Sequence, residues 1–348
     1  MEESERQRRR RRRRRLYRLR QLAVEIGALL VLAALIGVPL WLILRSPAEP
    51  EVSAPLEETS AVMPDTKVEY PVRTGDTAGF PATTDADCAI LIDVTNNTVV
   101  AARNESTIVY PASVTKVMSL LVAVEHITDY TATFTFPFEM LDRLYIEEAT
   151  VAGFLKDETV PMTDLLYGAI LPSGADATEA LAVHIAGSEE GFVRLMNEKA
   201  RAMGLKNTHF MNSSGLHHDD HYTTAEDMAV VLREAMNNPL CRQVLSAVHY
   251  TTTVTPQHPE GIQLFSTMFG RMYGTEPKVA TVIAGKTGYT SEAGHTMASY
   301  AEGENGHDYI FVSMHGSSRW EATYDAIEVY GYYCAPADEK PRPTNYTP

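Results

Sequence analysis

Pro111-Ala112-Ser113-Val114-Thr115-Lys116 heads a run in which Val117, Leu120, Leu121 and Val124 recur at helical spacing, which predicts a helix from Ser113 to His126. Residues three apart on a helix share a face, so Lys116 reaches the hydroxyl of Ser113. A serine hydroxyl is a poor nucleophile until a neighbouring base takes its proton. Lysine is such a base when desolvation or a second cation brings its pKa toward neutrality. Alone, Ser-x-x-Lys at a helix start is more often a cap and a solvated lysine. Two later motifs change the reading by their order: Ser173-Gly174-Ala175, after Pro172, and Lys286-Thr287-Gly288. Each by itself is a common turn. Together they supply a second hydroxyl, a second cation and a bare strand edge.

Working outward, Ala89-Ile90-Leu91-Ile92-Asp93-Val94 and Thr98-Val99-Val100-Ala101 flank Asn96-Asn97, the pattern of a β-hairpin. Helices are predicted at 163–171, 176–186 and 188–203, the last stopped by Gly204. Thr223 and Thr224, followed by Glu226 and Asp227, cap another that runs to about Met236. Strands are predicted at 279–284, 295–301 and 309–315, and a closing helix at 320–333. Strands at both ends of a helical middle make an α+β domain, one sheet carrying a helical subdomain. In that setting Lys286 comes from a strand, where it lowers the pKa of Lys116 or holds a substrate carboxylate, with Thr287 adding a hydroxyl. Gly288 lets an extended backbone lie alongside. The amides of Ser113 and Tyr289 are candidates for facing a developing oxyanion.

Charge divides the chain. Residues 1–45 hold 12 arginines against four glutamates, while residues 46–348 hold 18 basic against 41 acidic side chains, net −23. So acidic a body is a poor binder of phosphate backbones, and no nucleic-acid partner is expected. Ile26 to Leu44 gives 19 uncharged residues, about what a helix needs to cross a bilayer. The arginine run before it reads as nucleic-acid binding, a nuclear-type address or a cytoplasmic flank. Its direct abutment on the apolar run favours the flank. A cleaved signal peptide is the rival, but the run is long and no A-x-A-like site follows. The expected order is a basic cytoplasmic tail (1–21), a transmembrane anchor (22–45) in the lipid bilayer and a disordered linker rich in Pro, Glu, Ser and Thr (46–84). A catalytic domain outside the cytoplasm (85–335) and a C-terminal tail (336–348) follow.

The three motifs and their surroundings resemble the low-molecular-mass penicillin-binding proteins that act as serine-type D-alanyl-D-alanine carboxypeptidases. That family's signatures are Ser-x-x-Lys, Ser-x-Asn and Lys-Thr-Gly. The likeness extends through Met196-Asn197, Gly204-Leu205-Lys206-Asn207-Thr208-His209-Phe210 and Ser291-Glu292-Ala293-Gly294, over about residues 85–335. It implies a penicillin-binding-protein/β-lactamase-like fold with an antiparallel sheet flanked by helices. It also implies an acyl-enzyme on Ser113 made from peptidoglycan stem peptides, with Lys116 as base and Ser173 passing the proton to the leaving D-alanine. By the same likeness Lys286, Thr287, Gly288 and Tyr289 are expected to bind substrate and β-lactams to act as covalent inhibitors, with no metal or organic cofactor expected. Two departures stand out. Ala175 replaces the family's asparagine, a loss of about 1–3 kcal/mol if its partners stay buried. About 60 residues follow Lys286 in this sequence, so the β-rich C-terminal domain of many relatives is not expected within it.

Other features compete for attention. His217-His218-Asp219-Asp220-His221 looks like a metal cluster but reads more simply as an exposed polar loop. Cys88, Cys241 and Cys334 read as single buried thiols, one pair of which is open to oxidation outside the cytoplasm. Two other functions share the motifs: a sensing module that acylates but scarcely turns over, and a β-lactamase. The latter needs a deacylating carboxylate, for which Glu147 and Glu148 have no fixed geometry.

Overall fold

The computed structural model describes residues 68–275 and 277–335. The expected basic tail, membrane span and C-terminal tail lie outside the described residues, as does the linker up to residue 67. Among the described residues, no helix is long and apolar enough to cross a membrane.

Three strands come first: β1 (Val72–Ala78), β2 (Cys88–Asp93) and β3 (Thr98–Arg103). A 3-10 turn at Ala112–Thr115 leads into α1 (Lys116–His126). A largely helical region follows, made of β4 (Thr133–Thr135), α2 (Phe138–Ile146), β5 (Thr159–Pro161), α3 (Met162–Ile170), α4 (Ala175–Ala186), α5 (Glu189–Met203), α6 (Ala225–Asn237) and α7 (Pro239–Leu245). The hairpin of β6 (His249–Thr251) and β7 (Gln263–Phe265), then α8 (Thr267–Met272), return the chain to the sheet. There β8 (Ala280–Thr290), β9 (Gly294–Gly303) and β10 (Asp308–Gly316) precede α9 (Arg319–Tyr333).

The main sheet has the order β1-β3-β2-β10-β9-β8. All neighbours are antiparallel except β1, which lies parallel to β3. β2 runs near the middle and every residue of it is buried. Its alternating side chains feed two separate layers: Cys88, Ile90 and Ile92 face the helical region, and Ala89 and Leu91 face α9. Each such Ile or Leu contributes about 1.5–3 kcal/mol by leaving water. α1 is the central helix, buried at every position from Lys116 to Val124. The cysteines are all buried, Cys88 and Cys241 in one layer and Cys334 in the other.

Several expectations need correction. The linker does not run free to residue 84: Val72 to Ala78 forms the sixth strand, a parallel edge on an otherwise antiparallel sheet. Its side chains are mostly exposed, so no alternation marks it in the sequence. Ser113 lies on the 3-10 turn, and regular helix begins at Lys116. β8 continues six residues beyond the expected end, carrying Lys286, Thr287 and Gly288 inside the strand.

Candidate active site

The 3-10 turn sets the candidate nucleophile. Ala112, just before Ser113, has φ +48, a left-handed conformation that costs a non-glycine residue about 1–2 kcal/mol. The neighbours that hold it there come from distant parts of the chain. Thr296 of β9 donates its hydroxyl to the Pro111 carbonyl at 3.1 Å. Gly215 lies so close that a Cβ there would stand 2.0 Å from the Ala112 carbonyl oxygen, and its own φ is +83. Glycine is the only residue that fits.

Lys116 is 2% exposed. Its Nζ donates to Ser113 Oγ at 3.0 Å and to the Ser214 carbonyl at 2.6 Å. Burial brings its pKa down to about 7, against the opposing pull of the Asp176 and Glu189 carboxylates. Of the two routes open from sequence, desolvation is therefore the one that acts on Lys116. The loop supplying the Ser214 carbonyl is braced along its length. Ser119, one turn along α1, donates to the Ser213 carbonyl at 2.6 Å. Ser213 donates from both its amide and its hydroxyl to Glu189, and the Gly215 amide donates to Asn212 Oδ1 at 2.7 Å. A backbone carbonyl leaves no signature in a sequence, and Ser214 was not foreseen.

Ser173 also has a left-handed backbone, φ +71, and its Oγ is buried without a hydrogen-bond partner among the described residues. Ala175, the first residue of α4, is buried, and its amide donates to the Thr150 carbonyl at 2.7 Å. Asp176, fully buried, draws the adjoining loop onto this turn. It accepts from the amides of Ala152 (2.7 Å), Gly153 (3.1 Å) and Phe154 (3.4 Å) as well as from Ala177 (2.9 Å).

β8 closes the other side. A Cβ on Gly288 would meet Ser113 N at 2.7 Å and Thr296 Oγ1 at 2.5 Å, so only a bare backbone passes Ser113 this closely. Lys286 is 1% exposed and donates to the Thr287 carbonyl at 2.7 Å. Its pKa is pushed well below the ordinary lysine value by burial, then by the neighbouring charges of Lys116 and Arg271. Thr287 Oγ1 shares a hydrogen bond with Thr267 Oγ1 at 3.0 Å. Tyr289 is half exposed, its ring stacked on His295 with centroids 4.4 Å apart. The polar run at 217–221 divides: His218, Asp219 and Asp220 lie on the surface, but His221 is buried, contrary to the expected exposed loop.

Two buried lysines and a strained serine turn beside an antiparallel strand edge define the class, an active-serine fold of the penicillin-binding type. Residues 75–318 match the D-alanyl-D-alanine carboxypeptidase family of peptidases, and the chain belongs to that family. It is 33% identical over 227 residues to D-alanyl-D-alanine carboxypeptidase DacF of Bacillus subtilis, covering 64% of this chain and 55% of the relative. It is 31% identical over 237 residues to DacA of Haemophilus influenzae, covering 66% and 56%. The chain thus spans little more than half the length of these curated relatives. Among solved structures, the Streptomyces K15 DD-transpeptidase superposes with a TM-score of 0.66 at 26% identity, covering 73% of this chain and 99% of that one. The D-alanyl-D-alanine carboxypeptidase of Mycobacterium tuberculosis H37Rv gives 0.63 at 26%, covering 74% and 94%.

Proposed function

We propose that the protein is a serine D,D-carboxypeptidase that removes the terminal D-alanine from peptidoglycan stem peptides. The observation that carries this is the hydrogen bond from a buried, readily neutralised Lys116 to Ser113 Oγ. Neutral Lys116 takes the hydroxyl proton as Ser113 Oγ attacks the carbonyl carbon between the last two residues. The amides of Ser113 and Tyr289 face the oxyanion. As the C–N bond breaks, the proton passes from Lys116 through Ser173 to the departing amine, leaving an ester on Ser113. Water, deprotonated by Lys116, then hydrolyses the ester. Lys286 and Thr287 hold the terminal carboxylate beside the bare backbone of Gly288, and no metal or organic cofactor takes part. β-Lactams enter the same first step and stay as the penicilloyl ester. Residues 22–45 anchor the protein in the bilayer, with residues 1–21 cytoplasmic and the catalytic domain outside.

The test is intact mass of the full-length protein after benzylpenicillin, and D-alanine release from a D-Ala-D-Ala peptide. Both an adduct on Ser113 and release are expected, and both vanish in Ser113→Ala. An unaltered mass together with no release overturns the reading. Ala175 favours a second one, a module that acylates but turns over slowly, because the family's amide is missing beside Lys116. A large rise in peptide turnover in Ala175→Asn supports that module; unchanged turnover supports the working enzyme. A third reading, a β-lactamase, requires rapid loss of the penicilloyl adduct.

A further inference from the structure

His221 is only 2% exposed, and both its ring nitrogens are engaged. Nδ1 accepts from the backbone amide of Met211 at 3.3 Å. An amide only donates, so the ring proton sits on Nε2 and is donated to Thr115 Oγ1 at 2.9 Å. The Phe210 ring packs edge-on against the imidazole, centroids 5.6 Å apart. The segment bearing His221 is itself pinned, with Tyr222 bridged to His209 and Thr223 to Val109. Thr115 immediately precedes Lys116, and Met211 opens the loop whose Ser214 carbonyl accepts from Lys116 Nζ. The imidazole therefore ties the two halves of the lysine's surroundings together.

We propose that His221 is a positioning residue for Lys116, a neutral imidazole clamp that keeps the 211–216 loop closed over the lysine and water out of its pocket. The groups around it keep it neutral. Burial first, then His209, His218, Lys116 and His217, hold its pKa at about 3. The clamp thus stays uncharged across the whole range in which Lys116 titrates. Opening it hydrates Lys116, and since burial is the main cause of that lysine's low pKa, hydration moves the pKa up.

This inference rests on the reading of Ser113 and Lys116 as the reacting pair, and the test separates the two. Benzylpenicillin acylation of the full-length protein is followed by intact mass across pH 5–10. If the parent protein takes no adduct, the functional reading itself fails. If it does, His221→Phe, of similar bulk but without either hydrogen bond, is expected to acylate about tenfold more slowly at neutral pH, the size of one lost buried hydrogen bond. Its acid limb is expected to rise by about one pH unit, the shift that a tenfold fall at neutral pH requires. A folded His221→Phe with the parent rate and limb overturns the inference. Should His221→Phe fail to fold, the amide pair decides. Gln places a donor where Nε2 stands and recovers most of the rate, whereas Asn mimics only Nδ1 and keeps the raised limb. Identical limbs in the two overturn the clamp.

Discussion

Lys116 shows how burial alone shifts the charge state of a single side chain. Water is the best partner an ammonium has, and removing it favours the amine, here to a pKa of about 7. In the proposed mechanism the neutral form is the base, so the sign follows directly. Below pH 7 the lysine is protonated, and acylation is expected to fall about tenfold for each further pH unit. Above it the rate levels off. The acid limb of benzylpenicillin acylation is therefore expected near pH 7, and a limb near the ordinary lysine value contradicts a desolvated base. Lys286 is a parallel case. It is equally buried, and its pKa too is pushed well below the ordinary lysine value, by burial first and then by the charges of Lys116 and Arg271, while its Nζ donates to the Thr287 carbonyl on its own strand.

Among the elements, α4 and the loop before it depend on one carboxylate. Asp176 accepts four backbone amides, three of them from the chain at 152–154 and one from Ala177 in the first turn of its own helix, so it fastens that loop over the Ser173 turn. Asp176→Ala leaves those amides buried and unpaired. The expected loss is about 3 kcal/mol of unfolding free energy, read by denaturant titration, and Asp176→Asn, keeping one acceptor oxygen, loses less. The same scale explains what could be read in advance. α5 was legible from the glycine stop at Gly204 and α6 from the Thr224 cap, whose side chain accepts from the Asp227 amide. α2 was not: its N-cap is Pro137, without a side-chain bond, and its apolar Phe138, Tyr145 and Ile146 are exposed. The three-residue strands β4 to β7 were missed because tertiary pairing, not local pattern, makes them. In the site, Ser113, Lys116 and Lys286-Thr287-Gly288 announced themselves as contiguous motifs. Ser214 meets Lys116 through a carbonyl and His221 meets Thr115 through a tertiary contact, neither of which local sequence encodes.

At the scale of the whole described domain, the sheet order places the candidate site and the chain entry on opposite edges. β8 forms one edge and β1 the other, with four strands between. The entry edge is fastened well beyond its strand pairing. The Tyr70 hydroxyl donates to the buried Asp227 at the start of α6, and Lys206 lies over the Tyr70 ring, 4.0 Å from its centroid. Arg233 donates to the Glu69 carbonyl and to Asn97, and the Val72 amide donates to the Asn97 carbonyl at 2.8 Å. These contacts hold residues 68–78 on the body independently of the reacting groups. A protein beginning at residue 80 is therefore expected to be less stable than one beginning at residue 68, by about 3 kcal/mol, or roughly 10 °C in Tm for a domain of this size. Well below both melting temperatures the two should acylate with benzylpenicillin at the same rate, because no atom of the Ser113–Lys116–Ser214 arrangement bonds to the removed segment. Equal Tm values contradict the fastening of the entry strand, and a rate that falls with its removal contradicts the independence of the two edges.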